Sequence, residues 1–315
     1  MRNKLIWAFI IAIFLFLTGI SVWRRGDALP SRIRIATGGT AGVYHSYGAA
    51  LAGVIKDNMG VPADALTSGG AIENIRLLRD GKAELAFVQN DIMTYAYDGT
   101  NIFSTEEAFK GFYAIAGLYP EVCQIVARKD ISGIQDLKGK SVSLGDRGGG
   151  TELNALQILA SYGLSEADVE ADYLGFSASV EAFREGRLDA FFCTAGVPTP
   201  AITDLAKSGE IHLLSVGEAH ARALISEYPF YTRQAVGAGV YPGMDEGAET
   251  VAVQATLAVS GKLGEDAVFE ITRVLFENKD KIAEACEEGG SLNRETATNG
   301  ILIPLHPGAE KYLLR

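Results

Sequence analysis

Ile33-Arg34-Ile35-Ala36-Thr37-Gly38-Gly39-Thr40-Ala41-Gly42-Val43-Tyr44 reads as a short apolar strand that breaks into glycines and then opens a helix. Glycines at 38, 39 and 42 let the chain take positive φ and let a small ligand approach the backbone closely. The helix that follows presents unpaired N–H groups and a partial positive charge at its start. Alone, the stretch is equally an ordinary strand-to-helix turn, because it lacks the full spacing of a dinucleotide or phosphate loop.

Outward from it the chain alternates. A helix is predicted over 43–58, a strand over 61–67, a helix over 71–80 and a strand over 84–88, the β-α-β-α-β order that builds a parallel sheet. Ile72, Ile75 and Leu78 fall at three-residue spacing on one helix face, and Ala83-Glu84-Leu85-Ala86-Phe87-Val88 is the apolar run of a strand covered on both sides. The same order is then written again: strand 141–145, glycine-rich loop 146–150, helix 151–162, strand 169–174, helix 177–185, strand 188–193. Even the turn repeats. Arg79-Asp80-Gly81-Lys82-Ala83-Glu84-Leu85-Ala86-Phe87 lies over Arg184-Glu185-Gly186-Arg187-Leu188-Asp189-Ala190-Phe191-Phe192, with Gly81 and Gly186 placed just past their helices. Any α/β protein reuses such turns. The sharper reading is two similar α/β lobes, each with its glycine loop at the carboxyl edge of its sheet, where open α/β sheets bind ligands.

Between the copies, Ile115-Ala116-Gly117-Leu118 and Val122-Cys123-Gln124-Ile125-Val126 read as two apolar strands separated by Tyr119-Pro120-Glu121, the first crossing between lobes. A second apolar run over 251–260 is the natural return strand, and helices over 265–276 and 280–287 are expected to pack back on the first lobe. Two crossings, near 119–122 and 251–255, make a hinge about which lobes close on a small ligand.

Composition agrees with a two-lobed globular protein, at 315 residues and 48% apolar. A net charge of −11 argues against a nucleic-acid surface, which needs clustered Lys and Arg. Anions still bind an acidic protein where local N–H groups or one arginine outweigh the distant field. Cys123, Cys193 and Cys286 form no Cys-x-x-Cys pair and read as buried thiols; the four histidines have no zinc-binding spacing, so no metal or cofactor is implied. Residues 5–22 form an apolar run preceded by Arg2 and Lys4 and followed by Trp23-Arg24-Arg25, which is membrane-inserting sequence. It is either a cleaved signal peptide or an uncleaved anchor. No Ala-x-Ala-like site ends it, which favours an anchor that holds the rest of the chain outside the cytoplasm.

The chain has no Gly-x-Ser-x-Gly elbow, Walker loop, His-Glu-x-x-His or Cys-His constellation, so nucleophilic, phosphoryl-transfer and metal-hydrolase chemistry has no residues to stand on. Polar residues cluster at strand ends instead: Ser68-Gly69-Gly70, Gln89-Asn90-Asp91 and Thr194. Each alone is as readily a helix cap, and together they make a polar lining at one edge of both sheets.

With both glycine loops placed, the sequence resembles the TAXI type of solute receptor from TRAP transporters, over essentially 32–312. The resemblance rests on Thr37-Gly38-Gly39-Thr40-Ala41-Gly42-Val43-Tyr44, Ser68-Gly69-Gly70-Ala71-Ile72-Glu73-Asn74, Phe87-Val88-Gln89-Asn90-Asp91, Gly149-Gly150-Thr151-Glu152, Pro198-Thr199-Pro200, Tyr228-Pro229-Phe230-Tyr231 and Ile303-Pro304-Leu305-His306-Pro307-Gly308-Ala309. It implies a type II periplasmic-binding-protein fold, no catalysis, and delivery of a small organic acid such as glutamate or 2-oxoglutarate to a TRAP permease in the membrane. Residues 1–31 would be signal anchor and linker, 32–119 with 253–315 one lobe, and 120–252 the other. An extracytoplasmic sensing module and an enzyme on the same fold are the alternatives. The chain departs from the family pattern at Gly148-Gly149-Gly150-Thr151, which lacks the usual serine, and at Gly196-Val197, where a glycine-histidine pair is usual.

The expected ligand contacts are Thr40, Gly42, Val43, Tyr44, Ser68, Gln89 and Asn90 on one lobe and Gly150 and Thr151 on the other. Backbone N–H groups of the two helix starts would take a carboxylate. Arg147, in the second glycine loop, either forks onto a second carboxylate or is a surface arginine pairing with Asp146 or Glu152.

Overall fold

The computed structural model describes residues 29–209 and 211–314. The expected membrane segment over 5–22 lies outside them, and among the described residues no helix is long and apolar enough to cross a membrane.

The first copy of the repeat is β1 (Ile33–Ala36), α1 (Val43–Met59), β2 (Ala63–Leu66), α2 (Ala71–Arg79) and β3 (Leu85–Gln89), extended by α3 (Asn90–Asp98). A long strand, β4 (Phe112–Arg128), leads to the second copy: β5 (Ser141–Ser143), α4 (Gly150–Ser161), β6 (Glu170–Asp172), α5 (Phe176–Arg184) and β7 (Ala190–Ala195). Then come α6 (Pro200–Ala206), β8 (Ile211–Leu213), α7 (Glu218–Glu227), β9 (Thr232–Val236), the return strand β10 (Ala248–Ser260), α8 (Glu265–Glu277), α9 (Lys279–Ala285) and α10 (Pro307–Leu313). Gly81 and Gly186 both take positive φ, 67° and 76°, as the repeated turn requires of residues just past a helix.

The principal strand order is β2-β1-β3-β10-β4-β7-β5-β6. Read from either end it has the same grammar. The first strand of each copy sits between its two parallel partners, and the third pairs antiparallel with a crossing strand, β3 with β10 and β7 with β4. Two lobes therefore share one plan. Their sheets are not separate as expected, because β4 and β10 are long enough to serve both lobes and pair with each other from Phe112↔Ser260 to Val122↔Ala252.

The sequence reading also divided β4 at Tyr119-Pro120-Glu121, whereas the strand runs through unbroken. Pro120 lies opposite Gln254 of β10, and the pairing with β7 begins only at Val122, so the proline has a partner strand on one side alone. That edge-like position is where a sheet tolerates a residue with no N–H.

Each lobe's helices bury one face against the sheet. Tyr47, Leu51 and Ile55 of α1 pack with Ile271 and Leu275 of α8, Leu85 and Phe87, so the post-crossing helices do return to the first lobe. A second cluster joins α2 and β3 to α4 and β5, and one apolar core thus continues through both lobes. All three cysteines are buried and free.

Candidate functional site

The carboxyl ends of β1, β2 and β3 in one lobe and β5, β6 and β7 in the other converge on a cavity of about 430 Å³. Four helices begin at its wall. Their N-cap residues are Gly42 of α1, Gly70 of α2, Gly149 of α4 and Gly175 of α5, and none has a side-chain cap. An uncapped start leaves first-turn N–H groups without intrahelical partners and concentrates the positive end of the helix dipole there. The wall is thus rich in backbone donors although, among the described residues, no basic side chain lines it.

The lobes meet across the cavity. A Cβ placed on Gly150 would come 1.4 Å from Oε1 of Gln89, so glycine is what lets that amide lie against the start of α4. Gln89 Nε2 donates to Asn154 Oδ1 at 3.3 Å, and Asn154 Nδ2 donates to Asp91 Oδ2 at 3.0 Å and Tyr231 Oη at 2.8 Å. Burial pushes the Asp91 carboxyl up to about 6, against the pull of hydrogen bonds from the Ile92 N–H and Asn154. Gln89 is 3% exposed and its Oε1 has no hydrogen-bond partner.

Glu121 of β4 also lines the cavity and is 3% exposed. The Tyr44 hydroxyl donates to its Oε2 at 2.7 Å. Removal from water pushes this carboxyl up to about 8 even though that hydrogen bond pulls it down. Across the space, Asp146 lies against Gly175, and partial burial raises its carboxyl too.

Seven of the ten expected ligand contacts line this cavity: Gly42, Val43, Tyr44, Ser68, Gln89, Gly150 and Thr151. Ser68 Oγ is engaged with Asn74 Oδ1 at 2.6 Å and the Thr37 carbonyl, and Thr151 Oγ1 accepts from the Thr194 N–H at 3.3 Å. Three others are not brought there. Thr40 is exposed in the loop and Asn90 is buried beside the cavity, its amide accepting from Gln254 N–H and donating to the Gly300 and Phe230 carbonyls. Arg147 extends into solvent, 66% exposed, stacked over the Tyr173 ring at 3.4 Å and 4.0 Å from Glu152.

Sequence reasoning passed over Glu121, Asp146 and Phe176 as lining residues. A signal existed for two of them: Glu121 is the lone acid of an apolar run, and Phe176 stands at the second helix start of the second copy, where the first has Ala71.

A model of the NMT1-like family matches residues 35–314. Among solved structures, the periplasmic aliphatic sulphonate binding protein SsuA from Escherichia coli is similar at 15% identity, over 90% of this chain and 83% of that one, with a TM-score of 0.53. PhnD1 from Prochlorococcus marinus, solved in complex with methylphosphonate, gives 10% identity over 83% and 90% and a TM-score of 0.57. The ligand binding component of an ABC-type import system from Staphylococcus aureus gives 11% identity, 90% of both chains and a TM-score of 0.52. At such identities the likeness is one of fold, the two-lobed α/β architecture of type II periplasmic binding proteins.

Proposed function

The chain belongs to the NMT1-like family, and from that premise we propose that it is an extracytoplasmic solute-binding receptor, holding a small organic acid between its lobes and delivering it to a membrane transporter. One observation carries this: four uncapped helix starts, two from each lobe, face a single cavity. That arrangement supplies donors to an oxyanion without any cationic side chain. An enzyme on this fold has less support, since the residues lining the cavity include no His, Cys, Lys or Arg to act as base, nucleophile or electrostatic clamp.

In this reading a carboxylate sits on the first-turn N–H groups of α1 and α4, contributed by Gly42, Val43, Tyr44, Gly150 and Thr151. Ser68 and Gln89 fix its orientation, and the Tyr44 ring forms a wall. Thr40, Asn90 and Arg147 are left out, because they do not line the cavity. Residues 32–119 with 253–315 form one lobe, 120–252 the other, and 1–31 the tether. The motifs shared with TAXI receptors favour a TRAP permease as the transporter.

Calorimetry of the chain without residues 1–28, titrated with mono- and dicarboxylates and amino acids, should give tight one-to-one binding of at least one. Gly150→Ala should weaken it roughly 10- to 100-fold, since displacing Gln89 strands a buried polar group at about 1–3 kcal/mol. Turnover of any bound compound would sink the receptor reading. The partner is tested separately: proteoliposomes holding a TRAP permease should take up the captured acid only when the receptor is added.

A further inference from the structure

A solute held on helix starts brings a full negative charge into a cavity whose lining residues include two acids, Glu121 and Asp146, and no basic side chain. Donors for that charge are plentiful. Besides the first-turn N–H groups there are two hydroxyls on the wall, that of Thr151, which accepts from the Thr194 N–H, and that of Ser177. Among the described residues neither donates to a protein group. Asp146 keeps contact with water, which screens its charge. The difficulty lies with Glu121. It is 3% exposed, so its repulsion of a bound anion, were it ionised, would be little screened by water or salt.

The groups packed around Glu121 offer it no counter-charge. They are Tyr44 from α1, Asp91 from α3, Tyr119 and Cys123 from β4 and Cys193 from β7, and Val253 of β10 lies opposite it in the sheet. A proton is then what removes the conflict, and burial, with the Asp91 charge adding to it, pushes the carboxyl up to about 8. Resting on the receptor reading above, we propose that Glu121 binds the solute as the neutral acid, donating its proton to the captured anion, so that capture is linked to protonation of the site.

Tyr44 decides where the proton sits. Its hydroxyl donates to Oε2, which leaves that oxygen as the acceptor and puts the O–H on Oε1. Among the described residues no other hydrogen bond reaches this carboxyl, so the Oε1 proton is open to the cavity that Glu121 lines. Above about pH 8 the empty site loses the proton, whereas a bound anion, as a like charge, holds it there. Binding at high pH thus takes up a proton, and affinity falls about tenfold for each further pH unit.

Acetate, succinate, glutarate and 2-oxoglutarate, all fully ionised above about pH 7, are titrated by calorimetry into the full chain in a non-ionic detergent, and the tightest is followed upward in pH. Its affinity should be about 30-fold weaker at about pH 9.5 than at about pH 7. Near pH 9, buffers of different ionisation enthalpy should report uptake of close to one proton per solute bound by the native chain, a readout that does not depend on any variant folding. Glu121→Gln should cut the fall in affinity to less than about 3-fold, since no proton is left to lose. Tyr44→Phe removes the hydrogen bond that favours the ionised form and should move the onset of the fall to higher pH. An affinity that holds at high pH, no proton uptake, or the same fall in Glu121→Gln overturns the proposal and leaves the receptor reading standing. So does proton release, the sign of an ionised Glu121 receiving a cationic group, and so does binding of amino acids with none of the four acids bound. Silence from every compound takes the receptor reading with it.

Discussion

Glu121 is where burial and charge conflict most directly. Below the ordinary value of 4.5 the carboxyl is protonated in folded and unfolded chains alike. Between there and about 8 the unfolded chain gives up a proton that the folded chain keeps, so stability falls as pH rises, and above about 8 the loss is complete. Asp91 adds the same sign of dependence between 3.8 and about 6. Glu121→Gln cannot ionise, and its stability relative to the native chain should therefore grow by roughly 2–4 kcal/mol from pH 5 to 8.5. Thermal melts of both proteins without ligand across that range test this, and a constant difference in Tm would mean that Glu121 ionises readily in the fold. Arg147 shows the opposite situation. Solvated, over the Tyr173 ring and 4.0 Å from Glu152, it contributes at most the small attraction of an exposed cation–π pair.

Among the elements, the four cavity helices all begin on glycine although serine or aspartate would hold their first turns better. A side-chain cap would occupy the N–H groups a ligand needs. Gly42 allows the trade to be measured: its φ of −104° is open to any residue, and a Cβ there would meet nothing nearer than 3.5 Å. Gly42→Ser should raise stability by a few tenths to about 1 kcal/mol while weakening the ligand, because the new hydroxyl competes for the same donors. A parallel rise in stability and affinity would show that α1's first turn is not used in binding. Asn90, by contrast, begins α3 but uses its amide to fasten β10 and the 230 and 300 loops, a structural task next door to the cavity.

For the whole molecule, the duplicated plan puts half of the cavity wall on each lobe, with β4 and β10 as the strands that pass between them. A ligand shifts an open–closed equilibrium only through contacts made in the closed form, and a solute lying where Gln89 of one lobe meets Gly150 of the other would touch both. Adding a saturating bound solute should therefore lower the radius of gyration in small-angle scattering. An unchanged value at saturation would argue that the lobes are already held together by their shared apolar core.

The alternation of strands and helices, the repeat, and the helix-ending glycines at 81 and 186 were legible in the chain because they are governed by neighbours: periodic apolar residues, and a backbone conformation that glycine alone adopts cheaply. Strand-end position likewise pointed to Gln89, and the second glycine loop to Thr151. Direction was not legible. Gln89 and Asn90 are adjacent, yet one lines the cavity and the other holds β10, since the chain passes from strand to helix between them and turns their side chains apart. Pro120 looked like a break until β10 was seen on one side of it and no strand on the other. The proton held by Glu121 depends on α1, α3 and β7 closing over a residue up to 77 positions from its hydrogen-bond donor, Tyr44. Dielectric surroundings are made by tertiary packing, and no local pattern encodes them.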